Sequence, residues 1–219
     1  MTEERAGKIQ IDSIRLDGIL SIPEDAKGLV IFAHGSGSSR LSPRNRLVAG
    51  VLHKAGMATL LFDLLTTKED EVYENRFDIP LLTGRLKAAT EWVKGEAGIS
   101  GLKIGYFGAS TGTAVALVAA ADLEKEIKAV VSRGGRPDLA KDALGRVAAP
   151  TFLIVGGEDR AVIEFNNKAY DMIRAEKKLE IIPGATHLFE EPGKLEEVAR
   201  LAAEWFRKFL VGKEALTKV

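Results

Sequence analysis

The segment Gly108-Ala109-Ser110-Thr111-Gly112 constrains the fold of this chain more than any other. The apolar run 103–107 precedes it and the small-residue run 113–121 follows it, which predicts a strand, a sharp turn and a helix. A serine between two glycines in such a turn carries its hydroxyl above the sheet edge, because the glycines avoid backbone clashes. Ser110 is therefore the candidate nucleophile.

The rest of the chain alternates between strand and helix patterns. Nearly continuous apolar runs are typical of strands buried on both faces of a parallel sheet, and they cover 28–33, 58–64, 102–107, 127–132, 151–155 and 179–182. Helical patterns lie at 44–54, 81–94, 113–121, 162–175 and 195–210. Two alternating segments, 8–14 and 15–22, joined near Asp17-Gly18, predict an opening antiparallel pair.

These patterns predict a doubly wound α/β fold, a mostly parallel sheet with an N-terminal antiparallel pair and helices on both faces. Ligands of such sheets bind beyond the carboxyl ends of the strands. The loop 66–79 is the one sizeable polar excursion and is too short for a cap domain.

Composition limits the function classes. With 219 residues, 46% of them hydrophobic, we expect a single domain, residues 1–219. The 31 basic and 31 acidic residues are interspersed, which argues against nucleic-acid and membrane partners. No signal peptide or membrane segment is evident, so we expect a cytoplasmic location. As its assembly state we expect a monomer or a homodimer. Without cysteine, a thiolate nucleophile, a disulfide and a cysteine metal site are excluded.

A serine nucleophile needs a neutral imidazole as its base and a third group that orients the imidazole. Of the three histidines, His187 follows the last predicted strand, His34 ends the strand 28–33, and His53 lies in a helix as a packing or surface residue. In α/β-hydrolases the acid lies between serine and histidine in chain order. Asp159, just after the strand 151–155, fits that place, and its neighbour Glu158 is the main alternative.

The tetrahedral intermediate also needs hydrogen-bond donors for its oxyanion. One is the backbone N–H of Thr111, directly after the candidate nucleophile. The second is expected from the glycine-rich loop after the strand 28–33, where we favour the N–H of Ser36 over that of Gly37. A flexible turn or a phosphate-binding loop would have a similar composition.

The four motifs in this order, the loop 34–39, the Ser110 turn, the Asp159 loop and the His187 loop, resemble the dienelactone hydrolase-like branch of the α/β-hydrolase superfamily. The resemblance runs from about Gly28 to the final helix. It implies that Ser110 is the nucleophile, His187 the base and then acid, Asp159 the orienting group, and Ser36 and Thr111 the oxyanion donors. We expect no cofactor and no metal. Dienelactone hydrolases proper use a cysteine nucleophile, so its absence here favours a general carboxylic ester substrate over a dienelactone.

Substrate preference depends on less specific features. The strand ends expected to face the ligand are followed by arginines, at Arg40, Arg133, Arg136 and Arg160. Arg133 and Arg136 are candidates for binding an anionic substrate, and surface ion pairs are the alternative. Tyr73 and Phe77 are candidates for an apolar wall over the acyl group, or for a satellite of the core.

The sequence thus predicts a serine hydrolase acting on small, soluble esters. Other α/β-hydrolase chemistry, such as peptidase, thioesterase or perhydrolase activity, and a non-catalytic binding module on the same fold are the alternatives.

Overall fold

The computed structural model describes residues 2–11 and 13–211; residues 1, 12 and 212–219 of the predicted domain lie outside that part. Its centre is an eight-stranded sheet. The strands are β1 Thr2–Ile11, β2 Ile14–Pro23, β3 Gly28–Ala33, β4 Met57–Phe62, β5 Ile104–Ala109, β6 Ile127–Arg133, β7 Thr151–Gly156 and β8 Lys177–Ile182. The α-helices are α1 Pro43–Lys54, α2 Thr67–Asp70, α3 Ile79–Lys94, α4 Thr111–Asp122, α5 Arg160–Met172 and α6 Lys194–Leu210.

The strand order is β1-β2-β4-β3-β5-β6-β7-β8. β1 pairs antiparallel with β2, and β2 antiparallel with β4, whereas every later pair is parallel. The predicted mostly parallel sheet with an N-terminal antiparallel pair is confirmed. Because β3 to β8 run in one direction, the loops that carry Ser36, Ser110, Asp159 and His187 emerge at the same edge.

The predicted turn near Asp17-Gly18 is wrong. Ile11 pairs with Ile14, so the chain reverses between them, and Gly18 lies inside β2 opposite Gly7. Packing explains this glycine: a Cβ atom there would lie 3.1 Å from Ile9 Cδ1. An Asp-Gly dipeptide is a strong hairpin signal, but here the alternation of apolar residues continues through it.

Helices cover both faces of the sheet, as predicted. One face packs against α1 and α6, around Phe32, Phe107 and Phe206. The other face packs against α3 and α4, with part of α5. Side chains cap the starts of α1, α2 and α3, where Ser42, Thr66 and Asp78 accept from the N–H groups of Asn45, Glu69 and Leu81.

Two 3₁₀ segments lie near the sheet edge at which these loops emerge. The predicted loop 66–79 holds α2 and the 3₁₀ segment Tyr73–Phe77, so it adds no cap domain. The 3₁₀ segment Pro137–Arg146 follows β6 and is broken at Lys141, whose φ is 45°. It was not predicted as helical. Across residues 2–11 and 13–211, no helix has both the length and the apolar character needed to cross a bilayer.

Candidate active site

Ser110 stands in a strained turn between β5 and α4. Its φ of 51° and ψ of −123° are rarely adopted by a residue with a side chain, and such backbone costs about 1–3 kcal/mol. Three hydrogen bonds hold it: the Ser110 N–H donates to the Arg133 carbonyl at 3.2 Å, and the Ser110 carbonyl accepts from Thr113 and Arg136 at 3.1 and 3.0 Å. These bonds therefore fix the backbone that carries the Ser110 side chain.

The two glycines of the motif allow this turn to pack. A Cβ atom on Gly112 would lie 2.1 Å from the Ala33 carbonyl oxygen, and one on Gly108 would lie 2.6 Å from Thr113 Cα. Both distances are far inside van der Waals contact with backbone atoms. Glycine at these positions therefore lets α4 approach β3 and β5 closely.

Three side chains form a continuous hydrogen-bonded chain. His187 Nε2 lies 3.3 Å from Ser110 Oγ, and His187 Nδ1 lies 2.6 Å from Asp159 Oδ2. The side chain of Asp159 is 17% exposed and that of His187 is 38% exposed. Because a carboxylate only accepts, we assign the imidazole proton to Nδ1, which leaves Nε2 to accept from the serine hydroxyl. The neighbouring Glu158 side chain is exposed, and its backbone N–H donates to Ala185.

The loop that carries His187 is held close to the sheet. A Cβ atom on Gly156 would lie 2.4 Å from the Ala185 carbonyl oxygen, and one on Gly134 would lie 2.9 Å from that of His187. The loop is closed by Thr186, whose N–H donates to Glu191 Oε2 at 3.1 Å. Phe189, 1% exposed, anchors it in the core.

The other two histidines have structural contacts. His34 Nε2 accepts the Leu64 N–H at 3.0 Å, and Nδ1 contacts the Gly35 carbonyl at 2.9 Å, so the ring joins the loops after β3 and β4. Burial lowers the pKa of His34, which keeps the ring neutral. His53 lies in α1 with Nε2 2.7 Å from Thr59 Oγ1, and burial lowers its pKa as well.

The loop 34–39 lies beside Ser110. A Cβ atom on Gly35 would lie 3.0 Å from Ser110 Cβ. Gly35 accepts from the Ser38 N–H at 3.2 Å and Gly37 has a φ of 67°, which fits a type II turn with Ser36 at its second position. The Ser36 N–H donates to Thr111 Oγ1 at 2.9 Å. Thr111 opens α4, so its own N–H has no acceptor within the helix.

The structure gives the surroundings of three arginines that were candidates for the ligand face. Arg136 forms a two-point contact with Asp138 at 2.7 and 2.8 Å, and that contact raises its pKa. Arg133 is 6% exposed, its Nε has no partner among the described residues, and burial together with Arg44 lowers its pKa to about 10. Arg40 pairs with Asp63.

A different arginine, Arg76, reaches the loop 34–39. Arg76 Nη1 lies 4.0 Å from the position that a Cβ atom on Gly37 would take. Asp70 fixes this side chain through Nε and Nη2, both at 2.9 Å, while Nη1 has no partner within the described part of the chain. Arg76 lies in the middle of a loop rather than after a strand, and for that reason sequence reasoning missed it.

Tyr73 and Phe77 form an exposed aromatic pair. Their ring centroids are 5.2 Å apart, and their exposed fractions are 64% and 42%. Phe77 lines a groove of about 630 Å³ that runs over α4 between α3 and the segment Pro137–Arg146. Because Ser110, His187 and Asp159 do not line this groove, we place the candidate site on the hydrogen-bonded chain and not on the groove. No cluster of His, Asp or Glu that could hold a metal ion occurs among residues 2–11 and 13–211.

Comparison with known proteins agrees with this architecture. A sequence model of the dienelactone hydrolase family matches residues 16–211. The crystal structure of dienelactone hydrolase from Anabaena variabilis ATCC 29413 is 55% identical, with a TM-score of 0.92 over 95% of this chain and 99% of that one. An α/β serine hydrolase without lid from Xanthomonas campestris is 21% identical and shares the fold, with a TM-score of 0.78 over 96% of this chain and 97% of that one.

One curated relative is longer than this chain and has a name that does not refer to a hydrolase. A Mycobacterium tuberculosis (strain H37Rv) protein with the provisional name phosphoribosyl transferase is 58% identical over 195 residues, which are 89% of this chain and 44% of the relative. The chain thus spans less than half the length of this relative.

Proposed function

The chain belongs to the dienelactone hydrolase family and has the α/β-hydrolase fold, and we propose that it is a serine hydrolase that cleaves small carboxylic esters. The observation that carries this proposal is the hydrogen-bonded chain from Ser110 through His187 to Asp159, with contacts of 3.3 and 2.6 Å. A serine in the nucleophile turn, where dienelactone hydrolases proper have a cysteine, favours general esters as substrates.

In the first half of the reaction, Ser110 Oγ attacks the carbonyl carbon of the ester while His187 Nε2 accepts the hydroxyl proton. The carbonyl oxygen becomes an oxyanion beside the start of α4, where the Thr111 N–H is free to donate. The bond to the alcohol oxygen then breaks, and His187 returns its proton to the departing alkoxide. Asp159 stabilises the imidazolium that exists between these steps.

In the second half, a water molecule attacks the acyl-enzyme. His187 Nε2 takes a proton from the water, a second oxyanion forms, and the bond between the acyl carbon and Ser110 Oγ breaks. The proton passes from His187 to the serine oxygen, which restores the enzyme and releases the acid. The 38% exposed His187 side chain allows water to reach this position.

Arg76 is the guanidinium best placed to favour an anionic ester. Beside Gly37 its Nη1 has no partner among residues 2–11 and 13–211, while Asp70 holds Nε and Nη2. Since a sheltered charge-assisted contact contributes about 1.5–3 kcal/mol, Arg76→Gln should lower the preference for a carboxylate-bearing ester over its neutral analogue by about tenfold or more. The measurement is the ratio of kcat/KM for the two esters.

Arg136→Gln is the matched control, because its guanidinium is already occupied by Asp138. If Arg136→Gln or Arg133→Gln lowers the preference and Arg76→Gln does not, the role returns to the arginines predicted from sequence.

A panel of ester, thioester and aminoacyl substrates tests the reaction class, with the Ser110→Ala protein as blank. The proposal expects esters to be hydrolysed fastest. Faster turnover of thioesters or peptide-like substrates would assign the same three residues to thioesterase or peptidase chemistry. No turnover and no labelling by a fluorophosphonate would favour the binding-module alternative, because such labelling requires an activated serine.

We infer that the name phosphoribosyl transferase refers to the part of the M. tuberculosis relative that this chain does not span. The match covers 44% of that relative, and within this chain the residues 16–211 match the hydrolase family.

A further inference from the structure

The side-chain hydroxyl of Thr111 lies where the oxyanion donors meet. Thr111 directly follows Ser110, is 5% exposed, and opens α4. Its Oγ1 lies 2.9 Å from the Ser36 nitrogen. The Ser36 N–H, which the sequence favours as an oxyanion donor, therefore already donates to this hydroxyl, and it has a single hydrogen to give.

The Ser36 amide can reach an oxyanion directly only by leaving Thr111 Oγ1. It would thereby give up a part-buried hydrogen bond, and a typical intramolecular hydrogen bond contributes about 0.5–1.5 kcal/mol. If the bond stays, nothing is lost, and the hydrogen of the Thr111 hydroxyl remains available, because no described residue accepts from it. A hydroxyl that accepts a hydrogen bond is also a stronger donor.

We propose that the Thr111 hydroxyl is itself an oxyanion donor, and that the Ser36 amide acts through it as a positioning group. The hydroxyl accepts from the Ser36 N–H and donates its own hydrogen to the oxyanion, next to the Thr111 backbone N–H. No proton is transferred in this arrangement, since the amide and the hydroxyl both keep their hydrogen. The inference rests on the proposed serine hydrolase function and adds to it a donor that backbone reasoning does not include.

Thr111→Val tests the proposal, since valine keeps the branched shape and the backbone N–H while removing the hydroxyl. Loss of one oxyanion donor lowers kcat by about 10²-fold with little change in KM, because the contact exists only in the transition state. Thr111→Ser retains the hydroxyl and should keep most of the parent kcat. Thr111→Ala should show the same loss of kcat. Because alanine is smaller than threonine, this variant replaces Thr111→Val if the valine variant does not fold.

Thr90→Val, on α3, is the matched control. The Thr90 hydroxyl is also buried, donates to the Leu86 carbonyl at 2.8 Å and lies 2.6 Å from the Tyr106 hydroxyl, and it contacts neither Ser110 nor the loop 34–39. This substitution should lower the melting temperature and leave kcat at the parent value, which separates loss of a buried hydroxyl from loss of a donor.

Ser36→Pro removes the competing amide at a position of the turn where proline is favoured. The proposal expects a smaller loss of kcat from Ser36→Pro than from Thr111→Val. The reverse order, or a Thr111→Val enzyme as fast as the parent, would overturn it and return direct donation to Ser36. A parent enzyme that is neither labelled at Ser110 nor active on esters would instead reject the proposed function.

Discussion

The geometry distinguishes Asp159 from its neighbour Glu158 as the candidate group that orients His187. Its Oδ2 lies 2.6 Å from His187 Nδ1, whereas the side chain of Glu158 is exposed. Asp159→Asn keeps the shape but favours the wrong imidazole tautomer, so we expect kcat to fall by up to about 10⁴-fold. Glu158→Gln, one position away, is the control and should have little effect. Steady-state kinetics of both variants decide the matter, and the opposite ordering would transfer the role to Glu158.

Among the site residues, those that lie close after a strand could be predicted from the sequence. Ser110, Asp159 and His187 each lie within five residues of the end of a strand, and the parallel sheet brings such residues to one edge. No sequence pattern predicts contacts that depend on how loops pack and on side-chain rotamers. The Ser36 N–H on Thr111 Oγ1 and the approach of Arg76 to Gly37 require the folded loops.

His34 links two elements and makes their junction sensitive to pH. Its Nε2 accepts the Leu64 N–H between the ends of β3 and β4, and burial lowers its pKa. A lowered pKa means that the unfolded chain binds the proton more readily than the folded chain. The contribution of His34 to the free energy of unfolding is therefore fully present above the ordinary histidine pKa of about 6.5 and is lost as the pH drops below it.

Urea denaturation at several pH values checks this expectation. His34→Gln offers an amide oxygen to the Leu64 N–H but does not titrate, so its unfolding free energy should fall less between neutral and mildly acidic pH than that of the parent. His53→Gln is the comparison, because burial lowers the pKa of His53 too. If the unfolding free energy changes with pH equally in the parent and in His34→Gln, His34 does not cause the pH dependence.

Element boundaries show what the sequence pattern captures. The predicted strand 28–33 agrees with β3, and the other apolar runs lie within three residues of the observed strands. Strands buried on both faces need continuous apolar residues, so an apolar run in the sequence predicts such a strand. The segment Pro137–Arg146 was missed because its turns are short, interrupted at Lys141 and held by contacts with α4 and α5 rather than by helical periodicity.

At the scale of the whole molecule, residues 2–11 and 13–211 place no cap domain over the edge that carries the candidate site. The segment 66–79 contributes only α2 and a 3₁₀ turn beside it. Activation at a lipid surface requires a lid that opens there. We therefore expect hydrolysis of esters in free solution, with no rise in rate when a longer-chain ester passes its solubility limit. A sharp increase at that limit would show that part of this edge acts as a lid.

The central claim is that Ser110 is an activated nucleophile, and covalent labelling tests it most directly. A fluorophosphonate should modify the parent at one site per chain, and peptide mapping should place the adduct on Ser110. Ser110→Ala should abolish both labelling and ester hydrolysis with an unchanged melting temperature, since loss of a nucleophile costs up to about 10⁶-fold in kcat. Ser100→Ala, at an exposed turn, should label like the parent. Labelling or substantial hydrolysis that persists in Ser110→Ala would contradict the account.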